Sequence, residues 1–166
     1  MHGEDFVREL YDASYPRLVG QLTAFTGSRE EAEDVVQEAF ARAILHSRAL
    51  LAADNPEAWL RTVAVNHARS RWRRLRRFAG LLPDLVADPL PAEDDATRLD
   101  LFAAIQTLPA AQREAIALHH LAGLPVHEVA TTLGVPTGTV KARLARGRAV
   151  LAVRLRMDET TEAPHA

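Results

Sequence analysis

The spacing of the apolar residues is the feature that most constrains this chain. Along nearly its whole length, apolar side chains recur every three or four positions, which places them on one face of an α-helix. No segment alternates apolar and polar residues between turn residues, as a half-buried strand would. The sequence therefore predicts an all-α fold.

Capping and turn residues divide this pattern into separate helices. Ser28 with Glu31 three residues later forms a capping box, and Asn55 before Pro56 marks another helix start. Gly27 and Gly123 are expected to end the helices before them. The first predicted helix is 5–25, with a restart at Pro16. The capped helix that follows has a buried stripe from Ala32 to Ile44. The remaining predicted helices are 55–78, 95–107, 109–121, 125–133 and 136–157.

The composition changes between residues 79 and 93, where Gly80, Pro83, Pro89 and Pro91 stand among acidic residues. Such a segment cannot sustain a helix. The chain is therefore expected to form two small helical domains, 1–78 and 95–157, joined by a short acidic linker at 79–94. The tail 158–166 is polar and expected to fray.

Composition excludes several classes of function. The chain has no cysteine, so it has neither disulfides nor thiolate metal sites. No HExxH, GxSxG or Walker motif occurs, and adjacent His119 and His120 point to different helix faces. We therefore expect neither an enzyme nor a metal or cofactor site. The N-terminus lacks an apolar leader, and no stretch approaches the roughly 20 apolar residues of a membrane span, so a cytoplasmic protein without membrane insertion is expected.

The net charge of −2 conceals a segregation of charge along the chain. Two segments carry basic residues and no acid, namely Arg61, Arg69, Arg71, Arg73, Arg74, Arg76 and Arg77 in the first and Lys141, Arg143, Arg146, Arg148, Arg154 and Arg156 in the second. A single such run can be a solvated helix face. Sign asymmetry of this kind also points to a polyanionic partner.

The second basic segment belongs to a helix-turn-helix pattern. A short helix with apolar Val129 and Leu133 is followed by Gly134, which can adopt positive φ at a sharp turn, and by a second helix. If the apolar stripe of that second helix is buried, its opposite side is exposed and can meet base edges in a major groove. The residues on this exposed side are Thr137, Gly138, Lys141, Ala142, Ala145 and Arg146. Arg143 and Arg148 would lie nearer to phosphate. An ordinary helical hairpin is the alternative.

The first basic segment combines arginines with Trp59, Asn66, His67 and Trp72. A surface that binds single-stranded DNA needs positive charge for the phosphates, aromatic rings that stack on bases and a polar group that bonds a base edge. Trp59 falls on the apolar side and could equally be a core residue. An acidic face lies opposite the buried stripe of the capped helix and is formed by Asp34, Gln37 and Glu38. On its own this pattern indicates only a solvent-exposed helix face.

Three segments, in order, resemble the extracytoplasmic-function (ECF) group of sigma factors over almost the whole chain. They are SREEAEDVVQEAFARA, similar to that family's polymerase-binding helix, NPEAWLRTVAVNHARSRWRRLRR, similar to its strand-opening segment, and LPAAQREAIALHHLAGLPVHEVATTLGVPTGTVKARLARGRAVL, similar to its region four. The resemblance implies a promoter-recognition subunit of RNA polymerase, made of region two and region four, without catalysis of its own. Its partners would be core polymerase and promoter DNA, and an anti-sigma factor could be a further partner.

The resemblance also implies residue roles. The polymerase contact would be Asp34, Gln37 and Glu38, and Asn66 would line a pocket for a flipped base of the minus-ten element. Arg69, Arg73, Arg76 and Arg77 would support minus-ten binding, and Thr137, Lys141, Ala142, Arg143, Ala145 and Arg146 would bind the minus-thirty-five element.

Two departures from the family and two other classes of protein qualify this reading. Ser70 stands where many members have an acid, and Ala142 where many have a serine, which removes one hydrogen bond. A polymerase-independent helix-turn-helix regulator is the alternative function, although it has no evident use for the acidic face or the aromatic, basic helix. A small nuclease would need convergent carboxylates or histidines, which the sequence lacks.

Overall fold

The computed structural model describes residues 3–79 and 96–161, and all regular elements in these two ranges are helical. The helices are α1 Gly3–Thr26, α2 Arg29–Leu45, α3 Ser47–Ala52, α4 Pro56–Ala79, α5 Ala96–Gln106, α6 Ala110–Ile116 with a following π-helical turn Ala117–Leu121, α7 Val126–Leu133 and α8 Thr137–Thr161. Contacts divide the chain into two compact units, Met1–Pro89 and Leu90–Ala166. The all-α prediction is confirmed. The predicted linker lies, apart from Ala79, outside the described residues.

In the first unit, α2 packs against both α1 and α4, which also contact each other. Gly27, at φ +86°, ends α1 as expected. The core is formed by apolar residues with at most 4% exposure: Val7, Leu18, Val19, Leu22, Phe25, Ala32, Val35, Val36, Ala39, Phe40, Ala43, Leu50, Leu60, Ala64, Val65 and Ala68. The predicted stripe of α2 is therefore buried up to Ala43, whereas Ile44 is 52% exposed, contrary to expectation.

Both predicted helix starts are capped by the expected side chains. Asn55 Oδ1 accepts a hydrogen bond from the Ala58 amide at 3.1 Å. Ser28 Oγ accepts one from the Glu31 amide at 3.2 Å. The other half of the capping box differs from the pattern, because the Ser28 amide donates to Thr26 Oγ1 at 3.3 Å and the Glu31 carboxylate bonds elsewhere.

In the second unit, α6 and α7 pack against α8. Gly134 adopts φ +68° between α7 and α8, the left-handed conformation that its position was expected to require. The close approach of α6 and α8 occurs at Gly147, where an added Cβ would lie 2.9 Å from Ile116 Cγ1. Gly147 thus allows these two helices to meet.

Other local features also differ from the sequence-based expectations. Pro16 lies inside a continuous α1 and restarts nothing. The short helix α3 was not expected, and the predicted helix 109–121 changes to π geometry from Ala117 onward. Helix α8 continues to Thr161, four residues beyond its predicted end at 157, so the first part of the predicted tail is helical. Residues 162–166 of that tail lie outside the described residues.

Candidate nucleic-acid interface

The helix-turn-helix of the second unit separates a buried side of α8 from an exposed one. Val140, Leu144, Gly147 and Leu151 are buried, as their spacing predicted. The residues predicted to project outward are all exposed: Thr137, Gly138, Lys141, Ala142, Ala145 and Arg146. Arg143 is half-buried at the edge of this face. The N-terminal half of α8 thus offers a basic surface free of acids.

Arg148 lies on a different side of α8, beside the π-helical turn. Its Nη1 is 3.4 Å from Nε2 of His120, whose ring packs edge-on against that of His119 at 4.7 Å. Burial lowers the pKa of His120, and the nearby His119 and Arg148 lower it further. At neutral pH the uncharged imidazole can therefore accept a hydrogen bond from Arg148.

The first basic segment lies on α4, which forms one wall of a polar groove with a volume of about 490 Å³. The groove is lined by Arg42, Asn66, His67, Ser70, Arg73, Arg74 and Arg77. Of the residues predicted for the minus-ten element, Asn66, Arg73 and Arg77 share this groove, whereas half-buried Arg69 and exposed Arg76 are not among its lining residues. The lining contains no acid.

Asn66 is exposed within this groove. No hydrogen bond of its amide is found within residues 3–79 and 96–161. A solvent-facing or locally satisfied amide is the alternative to a DNA-binding role; a local partner finds no support in the described part of the chain, whereas a solvent-facing amide agrees with the exposure of Asn66. A donor and an acceptor remain available to a ligand.

Arg42 was missed by sequence reasoning as a groove residue, whereas His67 was named as part of the first basic segment but given no role of its own. Arg42 comes from α2, where its Nε donates to Glu38 Oε1 at 3.0 Å, and its Nη2 lies 3.4 Å from His67 Nδ1. Burial lowers the pKa of His67; Glu38 opposes this shift, and Arg42, Arg71 and Arg74 add to it. No local pattern could have indicated Arg42, because it lies outside both basic segments.

Two arginines of the first basic segment have roles within the fold. Arg61 is 5% exposed, and its Nε donates to Gln21 Oε1 at 3.1 Å, which joins α4 to α1. Arg71 Nη1 lies 3.7 Å from Asp34 Oδ2, which joins α4 to α2. An acid-free arginine run therefore overstates the number of cations that face a ligand.

The tryptophans are also partly structural. Trp72 stacks on Phe25 at 5.4 Å between ring centroids, and its indole donates to the Glu31 carboxylate. Trp59 is half-buried. The predicted stacking role thus has little to support it at Trp72, whose ring face already packs on a neighbour.

The acidic face of α2 is placed as predicted. Asp34 and Gln37 are exposed and Glu38 is half-buried, all opposite the buried stripe. Gln37 Nε2 donates to the Tyr15 hydroxyl at 3.2 Å, while Glu38 pairs with Arg42. The face borders the polar groove, because Glu38 pairs with Arg42 and Arg42 lines the groove.

Residues 3–79 and 96–161 contain neither a metal-binding cluster nor a membrane-spanning helix. No three His, Asp or Glu side chains there converge in a way that could hold a metal ion. None of the helices described is long and apolar enough to cross a membrane.

Family models match both units of the chain. Residues 10–78 match Sigma-70 region 2, and residues 98–151 match Sigma-70, region 4. The first match contains α2 and all of α4 except Ala79, and the second contains the helix-turn-helix. The groove therefore falls within the match to region 2, and the exposed face of α8 falls within the match to region 4.

Whole-chain comparisons agree with the family models. The chain is 31% identical to the ECF RNA polymerase sigma factor EcfG of Rhodopseudomonas palustris, covering 93% of this chain and 87% of that one. It is 30% identical to SigW of Bacillus subtilis, covering 92% and 90%. It also resembles the structure of the Bartonella quintana sigma factor RpoE in complex with the anti-sigma factor NepR, with TM-score 0.80, 27% identity and coverage of 93% and 99%. The chain therefore belongs to the ECF family of RNA polymerase sigma factors and functions in transcription initiation.

Proposed function

We propose that this sigma factor directs core RNA polymerase to promoters through three surfaces: the acidic face of α2 for polymerase, the groove on α4 for the minus-ten element, and the exposed face of α8 for the minus-thirty-five element. The domain limits we propose are 1–78 for region two, 79–94 for the linker, 95–157 for region four and 158–166 for the tail. The chain acts by binding alone, with no catalysis of its own, in the cytoplasm where core polymerase works.

The exposed face of α8 is the observation that carries this proposal. Its polar and small residues lie at the start of the second helix of a helix-turn-helix, while the opposite side is buried. That geometry allows Lys141 and Arg146 to reach base edges in a major groove. Thr137, Ala142, Arg143 and Ala145 complete the contact to duplex DNA.

The α4 groove supplies a different kind of contact. Asn66 exposes its amide in the groove, and Arg73 and Arg77 provide charge for a phosphate backbone. We propose that this surface, with Arg69 and Arg76 beside it, captures the non-template strand once the minus-ten region melts. Extruding a base from the stack costs free energy, and a shaped pocket near Asn66 would offset that cost only for a base that fits it. Recognition of the sequence is thereby coupled to melting of the strands.

Polymerase is expected to be required for strong DNA binding. The net charge is −2, so the long-range field of the free chain does not favour a polyanion. When polymerase binds both units, each DNA contact raises the effective concentration of the other. An anti-sigma factor is a further expected partner, since the similar Bartonella quintana protein was solved with one.

A selection experiment tests this function. Holoenzyme reconstituted from bacterial core polymerase and this chain is incubated with a DNA pool randomised upstream and downstream of a fixed spacer. Recovery of two conserved elements at promoter spacing, with transcripts starting downstream, is the expected result. Enrichment of a single symmetric site by the chain without polymerase would instead support a helix-turn-helix regulator.

A further inference from the structure

The polar groove of the first unit is built from two helices with different expected partners. Six of its lining residues belong to α4, whereas Arg42 belongs to α2, the helix whose acidic face we assign to polymerase. The α4 residues from Asn66 to Arg77 span 11 rises of about 1.5 Å, or roughly 16 Å. A groove of this length can accommodate two or three consecutive phosphates of a single strand, because an extended strand spaces them wider than the roughly 3.4 Å rise of a duplex.

The groove concentrates positive charge. Arg42, Arg73, Arg74 and Arg77 all line it, and three of them come from one face of α4. Glu38, which pairs with Arg42 at 3.0 Å, neutralises part of this charge from the side of α2. Cations that share a concave surface repel one another, and a polyanion in the groove relieves that repulsion.

Arg42 is held in an orientation that leaves donors unused. Its guanidinium has five N–H donors. Glu38 engages Nε and His67 engages Nη2, and no contact of Nη1 is found in the described residues. Because arginine can only donate, His67 Nδ1 must be the acceptor, which places the imidazole proton on Nε2. His67 thus fixes Arg42 while remaining a donor itself.

We propose that Arg42, positioned by His67, contacts the phosphate backbone of promoter DNA in this groove. This inference rests on the proposed sigma function and adds a DNA contact from the polymerase-binding helix. Arg42 is the contacting residue and His67 is the positioning residue. One consequence is that Glu38, next to the polymerase, and the DNA backbone are both linked to the same guanidinium.

The salt dependence of promoter binding tests this contact. Holoenzyme carrying Arg42→Ala should show a slope of log Kobs against log salt that is smaller in magnitude by about one, with affinity lower by roughly tenfold near 0.1 M salt. Arg42→Lys should restore most of the slope, because a phosphate accepts a point charge. Co-purification with core polymerase should remain at the wild-type yield for both variants.

Arg29 offers a matched control on the same helix. Its Nε pairs with Glu33 Oε1 at 3.2 Å with the same i, i+4 spacing as Arg42 and Glu38, but Arg29 does not line the groove. Arg29→Ala should therefore leave both slope and affinity unchanged. A slope reduction of equal size in Arg29→Ala would show a general charge effect and overturn the proposal.

The positioning role of His67 has its own readout. His67→Ala should weaken promoter binding, and the double variant with Arg42→Ala should bind no more weakly than Arg42→Ala alone, because His67 acts through Arg42. Additive losses would overturn the positioning role.

Three further outcomes separate this proposal from the sigma function. An unchanged slope for Arg42→Ala, with promoter binding by wild-type holoenzyme intact, overturns the contact alone. Loss of holoenzyme in Arg42→Ala but not Arg29→Ala would assign the groove to polymerase and also overturn it. Failure of wild-type holoenzyme to select a promoter would contradict the proposed function itself.

Discussion

The indole Nε1 of Trp72 donates a hydrogen bond to Oε1 of Glu31 at 2.6 Å, although the two residues are 41 positions apart. The same indole stacks on Phe25, so Trp72 joins α4 to both α1 and α2. Glu31 is meanwhile held by the cap of α2 through its amide. Trp72 therefore fixes the helix that carries the groove against the helix that carries the acidic face.

Trp72→Phe should lower the free energy of unfolding of the first unit by about 1–2 kcal/mol, because a hydrogen bond to a carboxylate is lost while stacking is kept. The variant retains Trp59, whose fluorescence reports unfolding of the same unit. Trp59→Phe is the matched control, with the same change of ring and no Glu31 contact. If losses from Trp72→Phe and Glu31→Ala simply added in the double variant, the bond would contribute nothing.

Gly147→Ala should destabilise the second unit by about 1–3 kcal/mol, because its methyl group would lie 2.9 Å from Ile116 Cγ1 in a packed contact. Gly138→Ala on the same helix meets no atom within 4 Å and should be neutral or stabilising. Hydrogen exchange of the α6 and α8 amides measures both changes. Equal protection in the two variants would show that α6 and α8 tolerate a wider separation.

Local patterns predicted the elements whose determinants are local. The caps at Ser28 and Asn55 and the turn at Gly134 each depend on residues within three positions, and all three formed, although Glu31 does not return the capping-box bond to Ser28. The buried stripe of α8 could be predicted from the helical period of its apolar residues alone. These features placed the exposed face of α8 correctly, because burying one side of a helix determines which residues remain outside.

What the sequence did not predict depends on partners distant along the chain. Arg61 and Arg71 look like DNA-facing cations until Gln21 and Asp34, on other helices, are brought beside them. Arg42 was overlooked for the converse reason, because only the packing of α2 against α4 brings it to the groove. Ile44 has the period of a core residue, yet it is 52% exposed.

The polymerase contact is tested by Glu38→Lys combined with Gln37→Ala. Reversing one charge and removing one amide on the exposed side of α2 should abolish co-purification with core polymerase. The acidic face is expected to meet a positively charged polymerase surface, which would repel the introduced lysine. Circular dichroism checks that the variant is folded. Glu33→Lys is the control, since Glu33 also forms an i, i+4 pair with an arginine of α2. Wild-type holoenzyme yield in the double variant would show that this face is merely solvated.

Arg146 and Arg148 should differ in the kind of loss they cause, because base contacts specify and phosphate contacts position. Arg146 is on the exposed recognition face, whereas Arg148 lies beside His120. Arg146→Ala should weaken binding by about 1–3 kcal/mol and relax preference at one upstream position. Arg148→Ala should weaken all promoters alike and flatten the salt dependence. Binding of both holoenzymes to a library of upstream variants distinguishes the two, and uniform losses in both would refute the division.

Asn66→Ala should leave polymerase binding and upstream anchoring nearly intact yet impair strand opening. The amide is exposed in the groove, and asparagine is an indifferent helix former, so helix propensity does not account for it. If Asn66 binds an extruded base, the variant loses the free energy that offsets unpairing. Ser70→Ala, in the same groove, is the control for a general change of its surface.

Permanganate footprinting of thymines across the minus-ten region measures this opening directly. On a matched promoter, holoenzyme with Asn66→Ala should give weaker reactivity than the wild type, while Ser70→Ala should not. On a template already mismatched in that region the defect should shrink, because no binding energy is then needed to unpair the strands. An equal defect on both templates would assign Asn66 to general DNA affinity, and unchanged reactivity on the matched promoter would remove it from strand opening altogether.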